Sequence, residues 1–266
     1  MGMIHLALLA AVQGLTEFLP VSSSGHLILF SKVMNFEDEG LMIDVALHIG
    51  SLFAVLIYFR KEIFSMLAAV FKTKLKPDLK SADNKLFYLL LIASLPAVLV
   101  GFYLRNAGME FLRNPKVIGF NILFYGLLLY AADRFFKSRR DMKSMGFKDA
   151  ILVGLAQCLA LVPGTSRSGI TITMARFLNI SRVEAAKFSM LLSMPVIAGA
   201  GALEGYRLWI SGNFSDMVPA LCGILFSFVA SYAVIYLMMK WLKHYSFLPF
   251  VIYRVILGLC LLFCVI

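Results

Sequence analysis

Two short stretches of the chain carry side chains able to hold a phosphate group. In the first, Gln13 and Glu17 stand four residues apart, so a helix stacks them on one face toward a common ligand. Pro20 stops that helix, because the residue before a proline is driven out of the α region. Ser22, Ser23 and Ser24 then follow as N-caps for a second short helix opening near Gly25 and His26. The N-terminus of a helix aims free N–H groups and the positive end of its dipole at the turn, which favours an anion there.

The second stretch repeats the design. Pro163 ends one helix, and Gly164, Thr165, Ser166, Arg167, Ser168 and Gly169 form a turn that opens another. Glycine lets backbone approach a ligand closely, hydroxyls donate, and Arg167 offers a planar fork of fixed positive charge suited to bidentate phosphate contact. Plainer roles exist for several of these groups. Serines and threonines in membrane helices often bond to backbone carbonyls. Asp44 and His48 read as paired structural polar groups at the mouth of a span. Arg254 reads as a charge that neutralises a buried partner or snorkels. The functional reading rests on the coincidence of Glu17, Ser23, His26 and Arg167 rather than on any one of them.

The elements that must position these turns are set by composition. Hydrophobic residues make up 61% of the 266 and charged residues 15%, with mean hydropathy +0.85. A soluble chain is about 45–50% apolar and about 25% charged, so the bilayer is the solvent for most of this one. Uncharged runs at 86–104, 117–132 and 217–239 read as membrane spans, and 41–59, 188–203 and 247–266 read as spans with polar blemishes. The formal charge of +10 collects in loops: seven Lys and Arg at 60–85, six at 134–148 and two at 240–243, against three at 105–116 and one at 205–216. That bias places the first three loops on the cytoplasmic side and predicts no nucleic-acid partner. Cys158, Cys222, Cys260 and Cys264 lie in apolar segments without a metal-ligand grouping and read as small buried hydrophobes.

Four apolar pieces, at 3–19, 27–34, 150–162 and 170–178, are too short to cross alone. The turns at 20–25 and 163–169 join them into two hairpins, at 3–34 and 150–178, that enter the membrane and return to the same side. Broken backbone at that depth is tolerated only where protein or a watery cavity surrounds it. The three spans after each hairpin run in opposite senses. Residues 115–123 and 249–257 match in register at Pro, Val, Ile, Ile and Leu, and Asp44 falls opposite Glu184. The expected fold is an all-α integral membrane protein, one domain over 1–266. It is built from inverted-topology repeats at 1–133 and 134–266, each with three transmembrane helices and one re-entrant helix-turn-helix hairpin whose turn meets its counterpart near mid-depth.

The segments QGLTEFLPVSSSGH at 13–26 and PGTSRSG at 163–169 closely resemble the signature pair of the bacterial undecaprenyl-diphosphate phosphatase family, linked to bacitracin resistance, and the similarity in length and hydropathy extends over the whole chain. The resemblance implies a multi-pass enzyme of the bacterial cytoplasmic (inner) membrane, surrounded by membrane lipids. It would hydrolyse undecaprenyl diphosphate to undecaprenyl phosphate and inorganic phosphate, in a site open to the extracytoplasmic side, and so recycle the carrier lipid of peptidoglycan synthesis. It also implies dependence on a divalent metal ion, Mg or Ca, held by Glu17 with help from Gln13; the family has Glu or Gln at the first of these positions. Glu17, Ser23, His26 and Arg167 become the catalytic candidates. Ser22, Ser24, Gly164, Thr165, Ser166, Ser168 and Gly169 become the phosphate-binding ones. Attack by Ser23 with a neighbouring base is favoured, while His26 as nucleophile and Glu17 activating water stay open. The assembly, including a homodimer, stays open too. The rival class is a lipid-phosphate transporter or flippase using the same cavity.

Overall fold

The computed structural model describes residues 3–23, 25–27, 29, 41–104, 112, 114–211 and 217–263. Ten helices run in order: α1 Met3–Thr16, α2 Leu41–Tyr58, α3 Arg60–Lys72, α4 Ala82–Leu104, α5 Pro115–Phe135, α6 Phe147–Cys158, α7 Arg167–Phe177, α8 Arg182–Ser211, α9 Met217–Trp241 and α10 Leu248–Phe263. Residues 23, 25–27 and 29 are also helical. Among the described residues there is no strand, only an isolated bridge between Arg140 and Ile180.

Among the described residues, four helices are long and apolar enough to cross a membrane: α4, α5, α8 over Arg182–Arg207, and α9. A fifth arises if α2 is taken together with α3, from which it is bent by 77°. The expectation of six spans is thus met in number only in part. The 16 described residues of α10 reach about 24 Å at 1.5 Å per residue, short of the roughly 30 Å hydrocarbon layer. Helix α3 departs from the sequence reading, which assigns 60–85 to a loop. Its charges, Arg60, Lys61, Glu62 and Lys72, sit at its ends, and Met66 and Val70 between them are buried. An amphipathic helix of this kind lies along a membrane surface instead of crossing it.

Local signals explain where the long helices begin and end. Asn114 caps α5 by accepting from the Lys116 N–H, and Pro115 occupies the first helical turn, where no amide donor is needed. Gly119, Gly126 and Gly258 let α5 and α10 approach closely: a Cβ on Gly258 would stand 2.8 Å from Leu123 Cβ. Buried serines join α2 to α9, with Ser231 donating to Ser51 at 2.9 Å and Ser227 to the Leu47 carbonyl at 2.7 Å.

The basic segments gather at one end of the bundle. Lys85 donates to the Lys143 carbonyl at 2.8 Å, Lys187 pairs with Glu62 at 2.8 Å, and Arg140 pairs with Asp149 at 2.6 Å. At the same end the buried Asp133 receives Arg176 at 3.2 Å, Arg182 at 2.7 Å and the Phe247 N–H at 3.3 Å. Removing that carboxylate would leave the wholly buried Arg176 without its counter-charge.

Helix α1 lies chiefly against α9, and α6 chiefly against α4. Leu6 meets Gly223 near the start of α9, and Gly14 meets Ala230 near its middle, so α1 descends from the end opposite the basic loops. Gly154 of α6 meets Ala93 at the middle of α4, so α6 descends from the basic end. Both helices stop about halfway, and their turns lie side by side.

Candidate active site

Glu17 follows α1 and is buried. Gln13, one turn earlier and fully buried, donates from Nε2 to Glu17 Oε2 at 3.0 Å. Ser23 Oγ donates to the same oxygen at 2.7 Å. From the other hairpin, 150 residues away in sequence, Arg167 donates to Glu17 Oε1 at 2.6 Å. The carboxylate is therefore the point at which the two turns join.

The turns share a backbone device. Ser22 and Ser166 both have positive φ, 79° and 74°, a conformation few non-glycine residues adopt. Each serine then turns its hydroxyl onto the amide three residues on: Ser22 Oγ accepts from Gly25 N at 3.4 Å and Ser166 Oγ from Gly169 N at 3.0 Å. In Gly164, φ is +90°, and a Cβ there would meet the Ile118 carbonyl at 2.6 Å, so glycine is required on both counts.

Arg254 of α10 ties the turns together. It is fully buried, and it donates to the carbonyls of Pro20 at 3.0 Å, Gly164 at 3.1 Å, Thr165 at 3.1 Å, Ile122 at 2.9 Å and Asn121 at 3.3 Å. One guanidinium thus satisfies the carbonyls of Pro20, Gly164 and Thr165 in the two turns, which lie outside the helices, and anchors them to α5. Two further bonds help: Ser168 Oγ donates to the Leu19 carbonyl at 2.8 Å, and Asn121 Nδ2 to the Pro163 carbonyl at 3.0 Å.

A cavity of about 360 Å³ opens beside the carboxylate. Glu17, Ser22, Ser23, Ser166 and Arg167 line one side of it, and Asp44 and His48 of α2 face them. The remainder of the wall comes from Val45 of α2, from Ala160 and from small and apolar residues of α8. Gly164, Thr165, Ser168 and Gly169 do not line it; they shape the turn behind it. Ser24 lies outside the described residues.

The two histidines are placed differently. His26 Nδ1 bonds the Ser22 carbonyl at 2.6 Å and Nε2 meets the Tyr253 hydroxyl at 2.5 Å, with the two rings stacked. A carbonyl only accepts, so Nδ1 carries the proton and Nε2 accepts from the tyrosine. His26 braces the first turn and does not line the cavity. His48 Nδ1 likewise donates to the Asp44 carbonyl at 2.7 Å, while its Nε2 stands 3.9 Å from Glu17 Oε2. Sequence reasoning set His48 and Arg254 aside as structural. The signal was present in both cases, as ionisable groups within apolar spans, which mark sites by default.

Chemically, the cavity offers a carboxylate positioned to take a proton from Ser23, a guanidinium to neutralise an anion, and hydroxyls at two helix starts. The Gln13 carbonyl oxygen is buried without a hydrogen-bond partner, which suits it to ligate a hard cation beside Glu17. Among the described residues no cluster of three or more His, Cys, Asp or Glu could hold a metal ion unaided.

The family model described as bacitracin resistance protein BacA matches residues 6–260. A protein of Alteromonas mediterranea named undecaprenyl-diphosphatase is 44% identical over 262 residues, covering 98% of each chain. One of Pseudoalteromonas translucida named undecaprenyl-diphosphatase 1 is 41% identical over 262 residues, again covering 98% of each. With both turns, their joining carboxylate and Arg254 inside the matched region, the chain belongs to the bacitracin resistance protein BacA family.

Proposed function

We propose that this protein is a phosphatase of the bacterial cytoplasmic membrane that hydrolyses undecaprenyl diphosphate to undecaprenyl phosphate and inorganic phosphate. The names of its relatives support the substrate. The observation that carries the chemistry is the Glu17 carboxylate held by Ser23 from one hairpin and Arg167 from the other inside one cavity.

In this reading Ser23 Oγ attacks the terminal phosphorus as its proton passes to Glu17 Oε2, and the bond to the bridging oxygen breaks to release the prenyl phosphate. Water then cleaves the phosphoserine. Arg167 neutralises the charge growing on the transferred group, the contribution that dominates most phosphoryl transfers. His26 acts through the turn it braces. Gln13 and Glu17 would hold a divalent ion, Mg or Ca, which would supply further positive charge to the diphosphate.

The scaffold belongs to the same proposal: inverted repeats at 1–133 and 134–266, each with a re-entrant hairpin. It is supported by the reciprocal seating of α1 on α9 and α6 on α4, by descent from opposite ends to mid-depth, and by the matching serine turns. Those features suit a transporter as well. The separating experiment is phosphate release from purified protein supplied with Mg²⁺ and a prenyl diphosphate. Glu17→Gln, Ser23→Ala and Arg167→Ala should each cut kcat by about 10²–10⁴ in protein that still folds. Full rates in these variants, or no phosphate from the wild type, would overturn the assignment.

A further inference from the structure

An apolar cavity follows the polar one along the same two helices. Asp44 and His48 lie on one stripe of α2, at i and i+4, and the next two positions of that stripe, Leu52 and Leu56, line a second cavity of about 280 Å³. Helix α8 shows the same succession: Ile197 and Gly201 border the first cavity, and Met194 and Ala198 the second. From Asp44 to Leu56 is 12 residues, or about 18 Å along the helix. The second cavity has no charged or polar side chain in its lining.

Its shape follows from the elements around it. Small residues on α8 leave space against α2; a Cβ on Gly201 would come no nearer than 3.6 Å to Ile49. Pro195, inside α8 and on the cavity wall, removes a backbone donor where the helix passes it. Helix α3, leaving α2 at its 77° bend, brings Ile63 and Met66 beneath as a floor toward the basic end. Leu67 and Leu91 on the wall are 37% and 42% exposed, so the trough opens sideways to lipid.

Resting on the phosphatase reading above, we infer that this trough seats the head-proximal isoprene units of the substrate's chain while the diphosphate lies at Glu17, Ser23 and Arg167. The two cavities succeed one another along the same pair of helices, the polar one nearer the outer end and the apolar one nearer the basic end. That is the order in which a lipid of the outer leaflet presents its head and chain. The trough lies near the lower limit of ligand-pocket volumes, roughly 300 Å³, so it reads only the first units and leaves the rest of a long chain in the bilayer.

The test uses the whole protein in detergent micelles and a non-hydrolysable farnesyl diphosphonate carrying a diazirine at its chain end. Photolysis should label peptides containing residues 52–56, 87–91 or 194–198, and unlabelled farnesyl diphosphate should suppress the labelling. Ala198→Phe, which fills the trough, should lower labelling and raise KM for farnesyl diphosphate about tenfold, the loss expected for under two buried methylenes. Labelling around Leu29 and Leu257 beside His26 would overturn the inference. So would labelling of the trough that excess phospholipid displaces and farnesyl diphosphate does not, since the occupant would then be bulk lipid. The two readings fail separately. Phosphate release with the label elsewhere removes the trough alone, whereas competed labelling of the trough without phosphate release removes the phosphatase and keeps the chain site.

Discussion

At the scale of residues, the chemistry rests on charges placed where hydrocarbon surrounds the protein, each with partners that make it tolerable. Glu17 has three donors, and Arg254 donates to five carbonyls. Arg254 is a positioning residue. Lysine at that site carries three donors on one nitrogen and cannot span two turns and α5 at once. Arg254→Lys should therefore lower kcat at least about tenfold with a smaller change in KM. Arg254→Met, leaving the turn carbonyls of Pro20, Gly164 and Thr165 without this donor, should destabilise by about 3–5 kcal/mol, read as a loss of Tm in detergent. An unchanged kcat in the lysine variant would remove the positioning role. The Gln13/Glu17 spacing and the turn at 163–169 were legible in the sequence, because local geometry fixes what four-residue spacing and proline do. Which histidine meets the cavity was not, since His26 is engaged by Tyr253, 227 residues distant. The partners of Arg254 left no trace either: a backbone carbonyl has no residue type.

Helices obey a second set of constraints, those of close contact without a hydrophobic force between them. Small residues at crossings let backbones meet, and Gly154 is one such instance, with a Cβ there falling 2.6 Å from the Ala93 carbonyl. Gly154→Leu should push α6 off α4, carry Arg167 away from Glu17, and abolish phosphate release together with a fall in Tm. Gly146→Ala, at a position with nothing within 4 Å, should leave both unchanged and serves as the control. The long spans α4, α5 and α9 were readable from uncharged runs alone. The helix at 60–72 was hidden because its terminal charges resemble those of a cytoplasmic loop, and its amphipathic face matters only against Asn84 and the α4 wall.

For the whole molecule, the gathering of the basic segments at one end predicts sidedness. Single cysteines placed at Lys80, Arg139 and Lys243 in a cysteine-free variant should react with a membrane-impermeant thiol reagent only after the cells are opened; reaction in intact cells would invert the orientation. The seating of α1 has a different kind of consequence. Its main neighbour, α9, begins about 200 residues further along the chain. At roughly 5–20 residues per second, the ribosome takes on the order of 10–40 s to deliver it. Helix α1 thus waits for its place, and through that delay its glutamine and the glutamate that follows must be sheltered by the insertion apparatus or by water at the membrane border.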